Sequence, residues 1–561
     1  MKARTCKDAM LLALALSACS TEGICKIGEE ATCPSGAFCY GGEGAKAGDN
    51  GICTQLSPPK PGPTPEEEEE EPPHAHVRQA CSTRMSGLSA HAVRAPLAAS
   101  AGQLLFATSL GNTPANSSLY VFDTAACTPL HHVHTGAVQG PMVVLGSGLV
   151  ALALGSGGPE GEGRNTPRLA LVDVAKAEPG FVHSNNMDCA RGHKNISLNA
   201  LFDKGLALVN LGSLSAPGHW RLVAPANAGN TGRLVAYAPY ATKTEERCMA
   251  RADEVEMSRL NTPFLLTPVQ GFGNHDDDPE AEVWREEWMT VHEKNSKVVV
   301  GTWVLDDGYA EKPEEWALME VWETKASIAS GMAAGGLDAT GREQMWLSGQ
   351  GLHRVFWNEA PETVLDVHWP TSPVAVDSEG QAYVVVQTGN SYELQRFAND
   401  IAQGAATECS VGDNSPCKNW QRCMGLENQA AGSPGRCQVT PLARAPAFHE
   451  APVGSPLLGE PSGDNPAEAY VVTTSGTVLA FHAATLELLW TAALKLDIAP
   501  SAQPVLLGER LWLVGANGEV RSLRVDSQGL NRSARWPKAF RDNCNTSSLL
   551  STPNTLPGCF E

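Results

Sequence analysis

Gly454-Ser455-Pro456-Leu457-Leu458, Ala469-Tyr470-Val471-Val472-Thr473, Gly476-Thr477-Val478-Leu479-Ala480-Phe481 and Leu488-Leu489-Trp490 follow one another with short polar gaps between them. The pattern restarts at Ala502-Gln503-Pro504-Val505-Leu506-Leu507 and continues through Arg510-Leu511-Trp512-Leu513-Val514 to Gly518-Glu519-Val520-Arg521-Ser522-Leu523. Each unit has small residues and a proline leading in, an inner strand, a second strand, a tight glycine turn and a third strand. Short apolar runs punctuated this densely by turn residues predict an all-β fold. Recurrence at roughly 40 residues predicts a β-propeller, whose blades are small antiparallel sheets set radially.

Working outward, the theme repeats at Leu104–Ala107 with Ser118–Asp123, at Pro141–Val144, Leu149–Ala153 and Arg168–Asp173, and at Ala382–Val386 with Tyr392–Phe397. Arg221–Ala224 and Arg233–Tyr237 read as a pair across a Gly/Asn turn. The stretch 268–345 fits least well. Its Trp-rich sequence around Val298–Leu305 and Ala317–Trp322 reads as one blade with enlarged loops. Counting segments gives seven or eight blades over 81–545 and a C-terminal tail at 546–561; a sandwich or a β-helix is the competing arrangement.

The last two units resemble the quinoprotein-like propellers, also called PQQ-like repeats. In that family a blade closes on G-x-V-x-A-x-D and T-G-x-x-x-W, the tryptophan docking on the next blade. Here Ala480-Phe481-His482-Ala483-Ala484-Thr485-Leu486-Glu487-Leu488-Leu489-Trp490 is the corresponding stretch, with His482 in place of the Asp and Leu486 in place of the Gly. The resemblance is good over 451–525, fair over 100–250 and 365–400, and poor elsewhere. It implies the propeller fold and a docking role for Trp490. Some members are dehydrogenases holding pyrroloquinoline quinone over calcium under a ring of adjacent cysteines. No two cysteines are adjacent here, and no matching calcium set can be placed, so the fold does not carry the activity. Another relative is the lipoprotein propeller that assists outer-membrane protein assembly, which lacks the features described next.

The cysteines form an internal repeat. Cys25, Cys33, Cys39 and Cys53 are separated by 8, 6 and 14 positions, and so are Cys409, Cys417, Cys423 and Cys437. Each set spans 29 residues, too few for a hydrophobic core to hold alone, so bridges must hold it. Both read as one two-disulfide knob, the first at the head of the chain and the second inserted into the propeller at 409–437. Four cysteines permit three pairings. First to third with second to fourth is the expected one, because it cross-links all three intervals, whereas pairing neighbours leaves a free hinge. The second knob reads as a platform offering Trp420 and Met424, or as a cap on the sheet beneath. Six further cysteines, Cys81, Cys127, Cys189, Cys248, Cys544 and Cys559, bring the expected disulfides to seven.

Lys2, Arg4 and Lys7 precede an apolar run, Ala9–Leu16, too short to span a bilayer. This is the pattern of a signal peptide. Leu16-Ser17-Ala18-Cys19 resembles the bacterial lipobox, which implies removal of 1–18 and a lipid on Cys19 as the membrane anchor. Ser20 lacks the inner-membrane retention signal that an Asp there would supply, so the resemblance implies an outer-membrane lipoprotein facing the periplasm or the cell surface. Residues 19–56 then hold the lipidated end and first knob, and 57–80 a linker. Its prolines (Pro58, Pro59, Pro61, Pro63, Pro65) and six glutamates (Glu66 to Glu71) predict a semi-stiff spacer. The full chain carries −21; removing Lys2, Arg4, Lys7 and Asp8, a net +2, takes it to about −23. Nucleic acid is an excluded partner for such a field.

Candidate chemistry is sparse. His131, His132 and His134 are the densest histidine group, and His132 and His134 share a face if the segment is a strand, as zinc or copper ligands would. Solvent-exposed turn histidines are the simpler reading. Asp276, Asp277 and Asp278 offer oxygens to calcium, but without the glycine and distal glutamate of a helix-loop-helix site they read as a solvated acidic loop. The glycines of 155–163 form a hairpin tip, not a phosphate cradle. No catalytic residue is nominated and no cofactor expected. The leading expectation is a non-enzymatic binding or scaffold lipoprotein with a protein or glycan partner; the alternative is a quinone- or metal-dependent envelope enzyme using the propeller funnel.

Overall fold

The computed structural model describes the strands named below, the connecting segments within 118–135, 369–399, 408–417, 421–425, 430–463 and 465–545, residues 559–560 and a few isolated positions. The chain divides into two units, Met1–Pro72 and Pro73–Glu561. No α-helix occurs among the described residues.

In the first unit, Asn50–Thr54 is the central strand, antiparallel to Ile24–Lys26 on one side and Phe38–Tyr40 on the other.

The second unit is a β-propeller with eight blades among the described residues, each an antiparallel sheet, built of consecutive strands except in blades six and eight. Blade one is Ala98–Ser100, Leu104–Thr108, Ser118–Asp123 and Thr128–His134. Blade two is Val143–Val144, Leu149–Leu154, Arg168–Asp173 and Gly180–Phe181. Blade three is Ala207–Asn210, Trp220–Ala228, Thr231–Lys243 and Glu246–Ser258, with Leu222 opposite Tyr237 as the sequence predicts. Blade four is Val269–Phe272, Trp284–Lys294, Lys297–Asp306 and Glu315–Thr324; blade five is Gly331–Leu337, Glu343–Gly349, Gly351–Phe356 and Glu362–Leu365. The stretch 268–345 is therefore not one blade: a long-stranded blade ends at Thr324 and a second begins at Gly331. Blade six has a split inner edge, Trp369–Pro370 and Ala375–Val376, then Ala382–Thr388, Ser391–Phe397 and Ala443–Arg444. Blade seven is Leu457–Leu458, Glu468–Val472, Thr477–His482 and Leu488–Ala493.

Blade eight takes three strands from the end of the ring, Val505–Leu507, Arg510–Val514 and Glu519–Arg524, and its outer strand, Gln79–Arg84, from the beginning. The propeller thus starts two residues earlier than the cysteine pattern predicts. Inner strands meet along two arcs of the ring. Ala98–Ser100 lies against both Val505–Leu507 and Val143–Val144, and Ala375–Val376 lies against both Gly331–Leu337 and Leu457–Leu458. A disulfide from Cys81 to Cys127 joins the outer strand of blade eight to the last turn of blade one.

Burial runs from the axis outward. Leu149–Leu154 and Glu468–Val472 are buried at every position, because the second strand of a blade is covered on both faces by its neighbours. The outer strands Thr128–His134 and Leu488–Ala493 are exposed or half-buried except at Val133 (7%) and Trp490 (6%). Its ring lies 6.0 Å from that of Tyr470 in its own blade. It belongs to a core shared with Leu511 and Leu513 of blade eight.

The turn before the outer strand is built alike in blades one and seven and accounts for His482 and Leu486. In blade one, Asp123 Oδ1 accepts the N–H groups of Ala125 and Ala126 at 2.8 and 2.9 Å. In blade seven, His482 Nδ1 accepts those of Ala484 and Thr485 at 3.1 and 3.3 Å. Imidazole does the carboxylate's work. The left-handed position four residues on is Cys127 (φ 57°) in one and Leu486 (φ 58°) in the other. Both are conformations that glycine adopts without strain and other residues adopt at a cost.

The second knob repeats the first. Pro434–Val439 is central between Glu408–Ser410 and Gln421–Met424, with Cys423 opposite Cys437 just as Cys39 lies opposite Cys53. Cys409 is bonded to Cys423 and Cys417 to Cys437, which is the crossing order. The knob is not free-standing: Pro434–Val439 touches Glu362–Leu365 of blade five, and Val439 belongs to the core of blades five and six.

Candidate functional site

The propeller axis is the first place to look for a site, because inner strands converge there. After Arg524 the chain turns inward. Leu530 bridges to Gly459, and Trp536 exchanges both backbone hydrogen bonds with Val376, at 2.7 and 2.9 Å. Leu458 N–H donates to the Pro537 carbonyl at 2.8 Å, and the Asn543 side-chain amide donates to the Leu506 carbonyl at 2.7 Å. Ala99 N–H donates to the Asn543 carbonyl at 2.7 Å and Val144 N–H to that of Cys544 at 2.9 Å. These partners lie on the inner strands of blades six, seven, eight, one and two. The segment 530–545 therefore runs along the free inner edges of five consecutive blades, inside the channel.

This segment is polar and deeply buried. Lys538, Asp542 and Asn543 have no exposed surface, and Asn545 has 1%. Lys538 Nζ donates to the Asp542 carbonyl and to Asn545 Oδ1, both at 2.9 Å, and Asn545 Nδ2 donates to the Leu97 carbonyl at 3.0 Å. Burial pushes the Lys538 ammonium down to about 7, with the nearby Asp542 charge opposing. Arg541 donates to the Ala534 carbonyl at 2.9 Å, lies over the Phe560 ring, and is pushed down to about 10, again mainly by burial. The Cys544–Cys559 disulfide and a hydrogen bond from Asn543 N–H to the Cys559 carbonyl hold 559–560 against the same segment.

The small-residue and proline approaches to the inner strands serve this arrangement. Ser455 Oγ accepts the Ala539 N–H of the channel segment at 2.6 Å. Gln503 Oε1 accepts the Ser455 N–H at 2.5 Å, tying the approach of blade seven to that of blade eight. Gly454 (φ +63°) cannot be replaced there, since a Cβ would fall 1.8 Å from Gln503 Oε1.

One constellation has the residue types of an acid–base pair. Tyr470 hydroxyl bonds to Glu468 and lies 2.6 Å from Ser527 Oγ. Burial, and then the Glu468 charge, hold the phenol well above its ordinary range. Both residues are at most 3% exposed, so this is a structural link from blade seven to the segment after blade eight.

Of the residues singled out in sequence, His131, His132 and His134 lie on the outer strand of blade one and not in a turn. His132 and His134 share its exposed face with ring centroids 5.1 Å apart, and His132 stacks on Tyr120. Ser118 Oγ lies 3.2 Å from His134 Nδ1. His131 points the other way, its imidazole held low by burial and then by His132. No third ligand joins the exposed pair among the described residues. Cys409, Cys417 and Cys437, and likewise Asp542, Cys544 and Cys559, are close enough to ligate one ion. Their sulfurs are committed to disulfides. Asp276, Asp277, Asp278, Cys19, Cys33, Cys189 and Trp420 lie outside the described residues, while Cys25, Cys39, Cys53 and Cys248 lie on described strands. Sequence reasoning missed the channel segment altogether. Its signals were Trp536-Pro537 and a cysteine at 544, with no strand periodicity around them.

No protein-family model matches the chain, and no curated protein sequence does. Among solved structures it is similar to the quinohemoprotein alcohol dehydrogenase of Comamonas testosteroni, at 12% identity over 81% of this chain and 77% of that one, with a TM-score of 0.42. It is similar also to Saccharomyces cerevisiae Sqt1, at 9% identity over 80% and 99% with a TM-score of 0.40. BamB from Moraxella catarrhalis matches at 10% identity over 80% and 99%, with a TM-score of 0.29. At these scores the likenesses decide nothing further, and the propeller stands on the sheet order, register and ring closure given above.

Proposed function

We propose that this chain is a lipid-anchored binding or scaffold protein of the outer membrane, which uses its propeller surface and inserted knob to hold a protein or glycan partner. One observation carries the reading. The channel, where a propeller enzyme would place its reacting group, is threaded by the chain's own segment 530–545 along five blades. What remains for contact is the broad ring of loops and the second knob, whose Glu408, Arg422 and Arg436 are exposed. Loop-bearing surfaces on a rigid scaffold suit recognition over a wide area.

The anchor and location are tested by labelling with palmitate, by the mass of the N-terminal peptide, and by membrane fractionation. Label incorporation lost in Cys19→Ser is the expected result. Function is tested by cross-linking the intact protein in envelopes and repeating with 409–437 deleted. A specific partner that disappears with the knob supports the reading. Turnover by the pure protein supplied with pyrroloquinoline quinone, calcium and an electron acceptor overturns it.

A further inference from the structure

The two knobs share a register but not a composition. Pairing sets Ile24 opposite Ile52, and Ile52 opposite Tyr40, in the first knob. The same three positions in the second are Glu408, Arg436 and Met424. Counted from the cysteines, Phe38 corresponds to Arg422. Residues opposite one another across strands, or two apart along one, belong to the same sheet face. Ile24, Phe38, Tyr40 and Ile52 therefore occupy one face, and Cys25, Cys39 and Cys53 the other. In the second knob the matching face is exposed at Glu408, Arg422 and Arg436, half-buried at Met424 and buried at Gln438, while Cys423 and Cys437 of the other face are buried. One framework thus carries mainly charge on this face in one copy and aliphatic and aromatic residues in the other.

We propose that the Ile24/Phe38/Tyr40/Ile52 face of the first knob docks onto the lipid bilayer that holds the Cys19 anchor. The inference rests on the lipoprotein reading. Ile24 lies five residues after Cys19, a reach of at most about 18 Å, so an anchored knob stays at the bilayer surface at high effective concentration. Aliphatic and phenyl groups bury at the headgroup–acyl boundary, and tyrosine is favoured there because one end is apolar and the other polar. Charge does not supply the attraction, because a chain this acidic is repelled by anionic headgroups. The Pro/Glu spacer then starts from a module laid on the membrane and not from a freely swivelling lipid.

The test uses the full mature chain with Cys19→Ser, floated with zwitterionic phosphatidylcholine vesicles. Binding that survives high salt is expected. It should fall about tenfold or more when the face is given the second knob's charges, Ile24→Glu with Ile52→Arg. The second knob carries those residues in the same register, and non-reducing peptide mapping confirms that the bridges form. Phe38→Ser with Tyr40→Ser is the milder variant, with the same direction expected. No flotation of the Cys19→Ser chain, or equal flotation of the variants, overturns the proposal; so does a concentration-dependent dimer that the same substitutions dissolve. The mass of the native N-terminal peptide separates this from the parent reading. An acylated native chain whose Cys19→Ser form ignores vesicles sinks the face alone, and an unacylated native chain whose Cys19→Ser form floats sinks the anchor alone.

Discussion

Lys538 shows how one residue makes the fold sensitive to solution conditions. Its folded-state pKa of about 7 lies below the unfolded value of 10.5. Between those values the unfolded chain binds the extra proton, so stability rises with pH across this window and the gain is absent below about 7. The free energy of unfolding, from denaturant titrations, should climb from pH 7 to 9.5 with a slope approaching about 1.4 kcal/mol per unit; Lys538→Met should flatten that climb. At His482 the prediction concerns hydrogen bonding. His482→Ala should cost about 1 kcal/mol by leaving two turn N–H groups without their acceptor, while His482→Asp should fall within about 0.5 kcal/mol of the parent. At Leu486 two effects oppose. Glycine would relieve the left-handed backbone by about 1 kcal/mol, but the side chain is fully buried and its loss costs about 2–5 kcal/mol. Leu486→Gly should therefore destabilise in a chemical melt.

Among the elements, the second and third strands of blades one, two, six, seven and eight were legible because glycine turns and apolar runs mark them locally. Gln79–Arg84 was not. It is short and polar, and its partner Glu519–Arg524 lies at the far end of the chain, so no local pattern reports the pairing. Only Cys81 pointed to it. The crossed knob pairing was favoured by an argument about intervals, and the second knob has that pairing. Its packing on blade five had no sequence signal, since Gln421 and Gln438 are buried polar residues in an otherwise hydrophilic insert. The Cys81–Cys127 bridge fastens an edge strand that is paired on one side only. Cys81→Ser with Cys127→Ser should cost about 2–4 kcal/mol. Amide exchange in Gln79–Arg84 should quicken before the rest of blade eight responds.

For the molecule as a whole, the propeller was readable from two well-formed blades, and the segment lining its channel was not. Segment 530–545 has neither alternation nor helical spacing, because its partners are the edges of five different sheets. Trp536 is its main apolar anchor, fully buried in the core of blades five and six. Trp536→Ala should cost about 3–5 kcal/mol. It should raise amide exchange first in Ala375–Val376 of blade six, leaving Val143–Val144 of blade two protected by the Cys544 contact.

The shared composition of blade eight also sets a timetable for biogenesis. A polypeptide synthesised from its N-terminus delivers Gln79–Arg84 early, and that strand waits for Glu519–Arg524 to arrive. Until then the ring has an open seam, and the inner edges of five blades lack the segment that lines them. A chaperone that binds unpaired strand edges would meet an unsealed intermediate for most of synthesis, and closure would come as one late event.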